Sequence, residues 1–235
     1  MAITATNLTT AGDGTDLASY ATASVTPASN NLVLVWAYSI AAAAAVTPTM
    51  TGNGLTWVQV ASIDDAGNGT GLRRITLFRA MGAAPTAGGI TISFGTQTQT
   101  GCAWSVAQYT GMDTTGTNGS GAIVQSATNF VATTATSVTV TLAAFASVNN
   151  ATTGGFGMPL NTAALPAVGA GFTLIGQINQ LGPNLSLGSE FNAGNNTTVD
   201  MNAGAATVPW AAIAAEIKQA GAAISHNLTL LGVGK

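Results

Sequence analysis

Charge is scarce in this chain of 235 residues. Five Lys and Arg and eight Asp and Glu make up 6% of it, against about 25% in ordinary globular domains. The net charge of −3 offers no basic field for nucleic acid or anionic lipid. Cysteine occurs once, at Cys102, which excludes an internal disulfide and leaves no sign of an oxidising compartment. Histidine also occurs once, at His226. Long apolar runs are missing too: NLVLVWAYSIAAAAAV (31–46) is shorter than a membrane-spanning helix needs and stops at Thr47-Pro48. The start, MAITATNLTT, has neither the basic patch nor the apolar run of a secretory signal, so a soluble protein that is not individually exported is expected. Disorder does not explain the low charge, because 47% hydrophobic content is too high for an unfolded polar chain. The surface must therefore be built from Thr, Ser, Asn, Gln, Gly and Ala. It is either hydrated through hydroxyls and amides or partly covered in an assembly.

What is present is alternation with period two, punctuated by Gly, Asn and Pro. YATASVTP (20–27), GLTWVQVASI (54–63), LRRITLFRAM (72–81), GGITISFG (88–95) and TGCAWSVAQYTG (100–111) read as strands. NLVLVWAYSI (31–40) reads as a central strand covered on both faces. Further candidates are 122–130, 136–145, 171–179, 185–193, 197–203 and PWAAIAAEIK (209–218), the last fitting a strand better than a helix. About a dozen short strands at this spacing predict an all-β antiparallel sandwich or barrel. A chain of this length holds one large sandwich or two small domains. No linker stands out and no repeat of fixed period is apparent, so residues 1–218 are expected as one sandwich. Residues 219–235, with Ile224, Leu228, Leu230 and Leu231 costly to leave in water, are expected as an extra strand or an inter-subunit arm. Residues 1–16 are a second candidate arm.

Few residues offer chemistry. Cys102 shares strand parity with Trp104 and Val106, which places it on an apolar face as a packing residue. No helix or cation is positioned to activate the thiol, and His226 has no acid nearer in sequence than Glu216. Asp64, Asp65 and Asn68 could gather oxygen ligands for Ca²⁺, but they do not match an EF-hand loop. No zinc spacing, phosphate loop or serine-nucleophile elbow occurs. No catalytic, metal or cofactor residue is therefore assigned, and the protein is expected not to be an enzyme. Arg73, Arg74 and Arg79 hold three of the five positive charges. They are edge-strand charge that discourages aggregation, pair with Asp64 and Asp65 across a hairpin, or form inter-subunit contacts. Trp36, Trp57, Trp104 and Trp210 lie in strands with apolar neighbours and suit a core better than a sugar-stacking platform.

NLVLVWAYSI, TGNGLTWVQVA, RRITLFRAMGAAPTAGGITISFG, QTGCAWSVAQYTG and TNGSGAIVQSAT together resemble a family of β-rich structural proteins of tailed bacteriophages and prophages, over residues 20–145. The resemblance carries over no functional residue. It implies a jelly-roll-like sandwich and a virion structural protein, with capsid decoration or cement as the expected role. The implied partners are the major capsid protein and further copies of itself in three-fold or other cyclic association, without nucleic acid or membrane. The implied place is the capsid exterior, reached from the host cytoplasm. The alternative is a carbohydrate- or receptor-binding module of a tail fibre.

Overall fold

A computed structural model describes residues 1–65, 71–159, 165–180, 182–204 and 206–221. It is all-β and antiparallel, with sixteen strands and no α-helix among the described residues. The first eight strands are β1 (Thr4–Asp13), β2 (Ser19–Ala21), β3 (Leu32–Ala41), β4 (Thr49–Gly52), β5 (Val58–Asp64), β6 (Arg73–Ala80), β7 (Ile90–Ser93) and β8 (Gln99–Thr110). They form a sheet of order β1-β8-β3-β6-β5 and a smaller one of order β2-β7-β4. That order is a jelly roll, two interleaved Greek keys.

The next eight strands repeat it. They are β9 (Ile123–Ala135), β10 (Ser137–Thr141), β11 (Ala151–Met158), β12 (Ala167–Val168), β13 (Thr173–Gln180), β14 (Leu185–Asn192), β15 (Thr198–Asn202) and β16 (Val208–Ile217). Their sheets run β9-β16-β11-β14-β13 and β10-β15-β12, the first pattern with every number raised by eight. The sequence led us to expect about a dozen strands; the structure has two jelly rolls in tandem, joined through 111–122.

Four layers result. The two five-stranded sheets face one another, and each carries its small sheet on the outside. β3 shows why its sequence is apolar on both faces. Leu32, Leu34, Trp36 and Tyr38 enter the central core between the large sheets, while Val33, Val35 and Ala37 enter the core beneath β2-β7-β4. β8 alternates likewise: Ala103, Ala107 and Tyr109 face the centre, and Cys102, Trp104 and Val106 face outward. In the second unit Phe156, Met158, Trp210, Ala212 and Ala214 fill the outer core with Val138, Val140, Val199 and Met201. Burying each of the Val, Leu, Phe and Met side chains among these contributes about 1.5–3 kcal/mol.

The two units are related by a pseudo-two-fold axis that runs along the strands between the central sheets. β1 lies against β13 as β9 lies against β5; β8 meets β14 as β16 meets β6; β3 meets β14 as β11 meets β6. On the axis, a Cβ at Gly155 would overlap the Trp36 indole and one at Gly157 would overlap the Tyr38 ring. Both pairs step by the same number of residues along β3 and β11, as such an axis requires. The contact is therefore that of an isologous dimer, built within one chain.

Two segments differ from expectation. Residues 4–13, within the candidate arm 1–16, form β1 and pair along β8 from Thr4↔Thr110 to Asp13↔Cys102. β11, ATTGGFGM, is a central strand that alternation did not reveal. Elsewhere, the turn at Gly52-Asn53-Gly54 uses a left-handed residue, Asn53 (φ 56°). Its buried amide donates to the carbonyls of Val25, Thr86 and Gly88 at 3.2, 2.9 and 2.9 Å, tying three loops together.

Candidate functional site

The one thiol is sealed. Cys102 is fully buried, and burial, with Asp13 nearby, pushes its pKa well above the ordinary thiol range. A nucleophile needs the opposite shift. His226, with Ile224, Leu228, Leu230 and Leu231, lies outside the described residues.

The arginine cluster separates into two roles. Arg73 pairs with Asp65 (Nη1 to Oδ2, 3.2 Å), and its backbone N–H also donates to Asp65 Oδ1 at 2.9 Å. Arg74 pairs with Asp64 across the same hairpin and donates through Nε to the carbonyl of Ala45 at 2.7 Å. The two carboxylates of the candidate Ca²⁺ group are thus engaged by guanidinium groups; Asn68 lies outside the described residues. Arg79 is different. Among the described residues it has no acid partner, and its Nη1 is buried without a hydrogen bond.

Three tryptophans are core: Trp36, Trp104 and Trp210 are at most 4% exposed. Trp57 is half-buried and donates to the carbonyl of Gly52 at 3.2 Å. No exposed aromatic platform forms among the described residues.

Two carboxylates on strands, to which the sequence assigned no role, are fully buried. Glu216 on β16 accepts from Gln125 Nε2 at 2.6 Å and Asn150 Nδ2 at 2.5 Å, which binds β9 and the 142–150 loop to the sheet. Glu190 on β14 accepts from the Gly169 N–H at 3.0 Å with Oε2, while Oε1 has no partner. Burial first, and the charge of Asp200 after it, raise its pKa to about 8 against the Gly169 bond. Neither acid is in a three-residue constellation with others that could hold a metal, among the described residues.

The surface is nearly free of charge. Asp16 and Lys218 are the only exposed charged side chains among the described residues. Lys218 reaches Asp113 (Nζ to Oδ2, 2.6 Å), and this bond, with those from Thr115, holds the Asp113 carboxyl down at about pKa 2. Backbone bonds from Asp113 to Lys218 and from Ala220 to Gly111 stitch the chain after β16 to the connection between the units. Residues 219 and 220 therefore belong to the folded body. Beside them a groove of about 400 Å³ is lined by Met1, Val124, Ala146, Ser147 and residues 218–221. Met1 and Val124 are exposed there, at 92% and 46%, and Val148 on the adjoining loop at 75%. Past Val124 a second cleft, of about 260 Å³, opens between β5 and β9 onto Arg79.

Taken together, the geometry describes a tandem jelly roll with most of its charged groups paired internally and an exterior that carries little charge. Compared with protein families, curated proteins and solved structures, the chain matches none of them significantly.

Proposed function

We propose that this protein is a non-enzymatic structural component of a virion, a decoration or cement protein that binds the outside of a capsid and neighbouring copies of itself. The observation that carries this reading is the exterior: a 235-residue chain leaves only two charged side chains exposed among its described residues. A neutral face of hydroxyls and amides can be covered by another protein without desolvating charges, a cost of several kcal/mol per ion when the partner is imperfect. Many copies on a repetitive lattice would then hold through avidity. The resemblance of residues 20–145 to phage structural proteins supports the same class. The arm in this proposal starts after Gly221, since residues 219 and 220 bond to Asn150, Met1 and Gly111.

Quantitative mass spectrometry of purified particles tests it. A copy number comparable with the major capsid protein is expected. A far smaller number would place the chain in a tail, where the receptor-binding alternative applies, and absence from particles would overturn the virion role. Truncation after Gly221 should weaken coating while leaving the thermal transition in place; normal coating by that variant would remove the arm from the proposal.

A further inference from the structure

The pseudo-two-fold axis gives each side chain of the central interface a counterpart, and the comparison singles out one position. Arg79 pairs with Leu34 in the β3–β6 ladder, and Phe191 pairs with Thr153 in the β11–β14 ladder. Since Trp36 and Gly155 face each other on the axis, Leu34 corresponds to Thr153 and Arg79 to Phe191. Phe191 is 9% exposed and packs edge-on against Tyr109, with ring centroids 5.8 Å apart, closing its end of the interface. Its counterpart is a cation on the rim of an open cleft.

The two seams of the sandwich differ in the same sense. Along β1 and β13 the sheets close tightly: a Cβ at Gly176 would collide with Thr10 Oγ1, and Gly12 lies against Gln180. Along β5 and β9 the cleft of about 260 Å³ remains, with Gln59 and Ser126 exposed on its rim and Val60, Ile123 and Val124 beside Arg79. Arg79 is the only cationic side chain among the described residues without an ion pair. The acid on the neighbouring strand β16, Glu216, does not supply one: Ala215 and Ile217 face the central core, and Glu216 alternates to the other side, where Gln125 and Asn150 hold it. Leaving a guanidinium N–H buried and unbonded costs stability that an apolar residue here would not.

We infer that the β5–β9 cleft is a binding site for a carboxylate, with Arg79 as its anchor. A guanidinium presents two parallel N–H groups that match a carboxylate fork. One cation suits one negative charge, with Gln59, Ser120, Gln125 and Ser126 as further polar groups of the cleft and Val60, Ile123 and Val124 to meet a short aliphatic body. A doubly charged phosphate would need a second cation, and Arg79 is the only one in the cleft lining. The carboxylate can be a free small acid or an acidic side chain of a partner protein, and the inference is independent of the proposed place in a virion.

NMR titration of the full chain tests this, with butyrate as the free acid and a terminally blocked glutamate peptide as the side-chain source, both against chloride at matched ionic strength. Saturable shifts confined to the residues around the cleft are expected, and Arg79→Met should weaken them at least tenfold. Arg79 makes no ion pair, so that variant should stay folded; Arg79→Lys, which keeps the charge without the fork, is the second variant and should also weaken binding. Arg74→Met should bind as the parent does. Binding of the peptide alone would assign a protein partner, and binding of both would assign the group itself. Absence of saturable shifts with either probe, unchanged binding in Arg79→Met, or tighter binding of inorganic phosphate than of butyrate would overturn the inference.

Discussion

Trp36 fills the space that a side chain at position 155 would need, and Gly155 is its counterpart across the pseudo-two-fold axis. A strictly symmetric interface would place two tryptophans, or two glycines, at this point. The first would clash and the second would leave a void, so the chain has one of each. Gly155→Val should therefore cost about 1–3 kcal/mol through overpacking, lowering Tm by roughly 2–10 °C. Because the cause is the indole, Trp36→Leu should relieve part of it. A double-mutant cycle by chemical denaturation should show coupling of about 1 kcal/mol or more between the two sites. Simple additivity would mean that Gly155 is required for some other reason.

This pair also explains what the sequence concealed. β3 was legible because it is apolar on both faces, and β8 because its parity separates Cys102, Trp104 and Val106 from the small residues behind them. β11 was not legible, because its central-core positions hold Gly155 and Gly157 where a strand usually shows large apolar side chains. The side chains that fill the space belong to Trp36 and Tyr38, more than a hundred residues away. The tandem repeat was hidden for the same reason: counterparts such as Trp36 and Gly155, or Arg79 and Phe191, complement each other instead of matching. In the candidate site, the pairing of Arg73 and Arg74 with Asp65 and Asp64 is local to one hairpin and could be read from spacing. The isolation of Arg79 depends on the seam between β5 and β9, which only the packing of the two units creates.

The opposite seam is polar, and it should behave as a unit. Ser105 Oγ and Ser189 Oγ are 2.7 Å apart in the buried interface; Ser105 also meets Thr10 Oγ1 at 3.2 Å, and Ser189 donates to the Gly176 carbonyl at 3.3 Å. Their counterparts are Ile213 and Leu77, which need no partners. Ser189→Ala strands its neighbours and should cost about 1–2 kcal/mol. Adding Ser105→Ala should cost less than the same change in the parent. Urea denaturation of the two single variants and the double variant measures this, and equal increments would show that the serines act separately.

Cys102 should be inert in the folded state. It is fully buried, and burial holds its proton on. A chromogenic disulfide reagent at neutral pH should leave it unmodified for as long as the protein stays folded, and should modify one thiol per chain in denaturant. Rapid modification without denaturant would show that the outer core beneath β2-β7-β4 opens readily.

Glu190 should make stability depend on pH in the direction opposite to most carboxylates. Its side chain is fully buried, Oε1 has no partner, and Asp200 is the acid whose charge bears on it. The folded-state pKa is raised to about 8, from 4.5 for an unperturbed glutamate. Below the lower value both states carry the proton, and the contribution of this group is fully present. Between the two values the unfolded chain releases a proton that the folded chain retains, so stability falls as pH rises, until both states are ionised above the upper value. Each unit of separation is worth about 1.4 kcal/mol, so the loss should be readily measurable. Asp113, whose pKa is lowered to about 2, acts only in strong acid and does not intrude on this window. Glu190→Gln keeps the shape and an acceptor for the Gly169 N–H but removes the titration. Guanidinium denaturation from about pH 5 to about pH 9 should show the parent losing stability while the variant stays nearly level, with the variant the more stable of the two at the alkaline end. Parallel pH profiles would mean that Glu190 is ionised in the folded protein throughout, with a cation or water on Oε1.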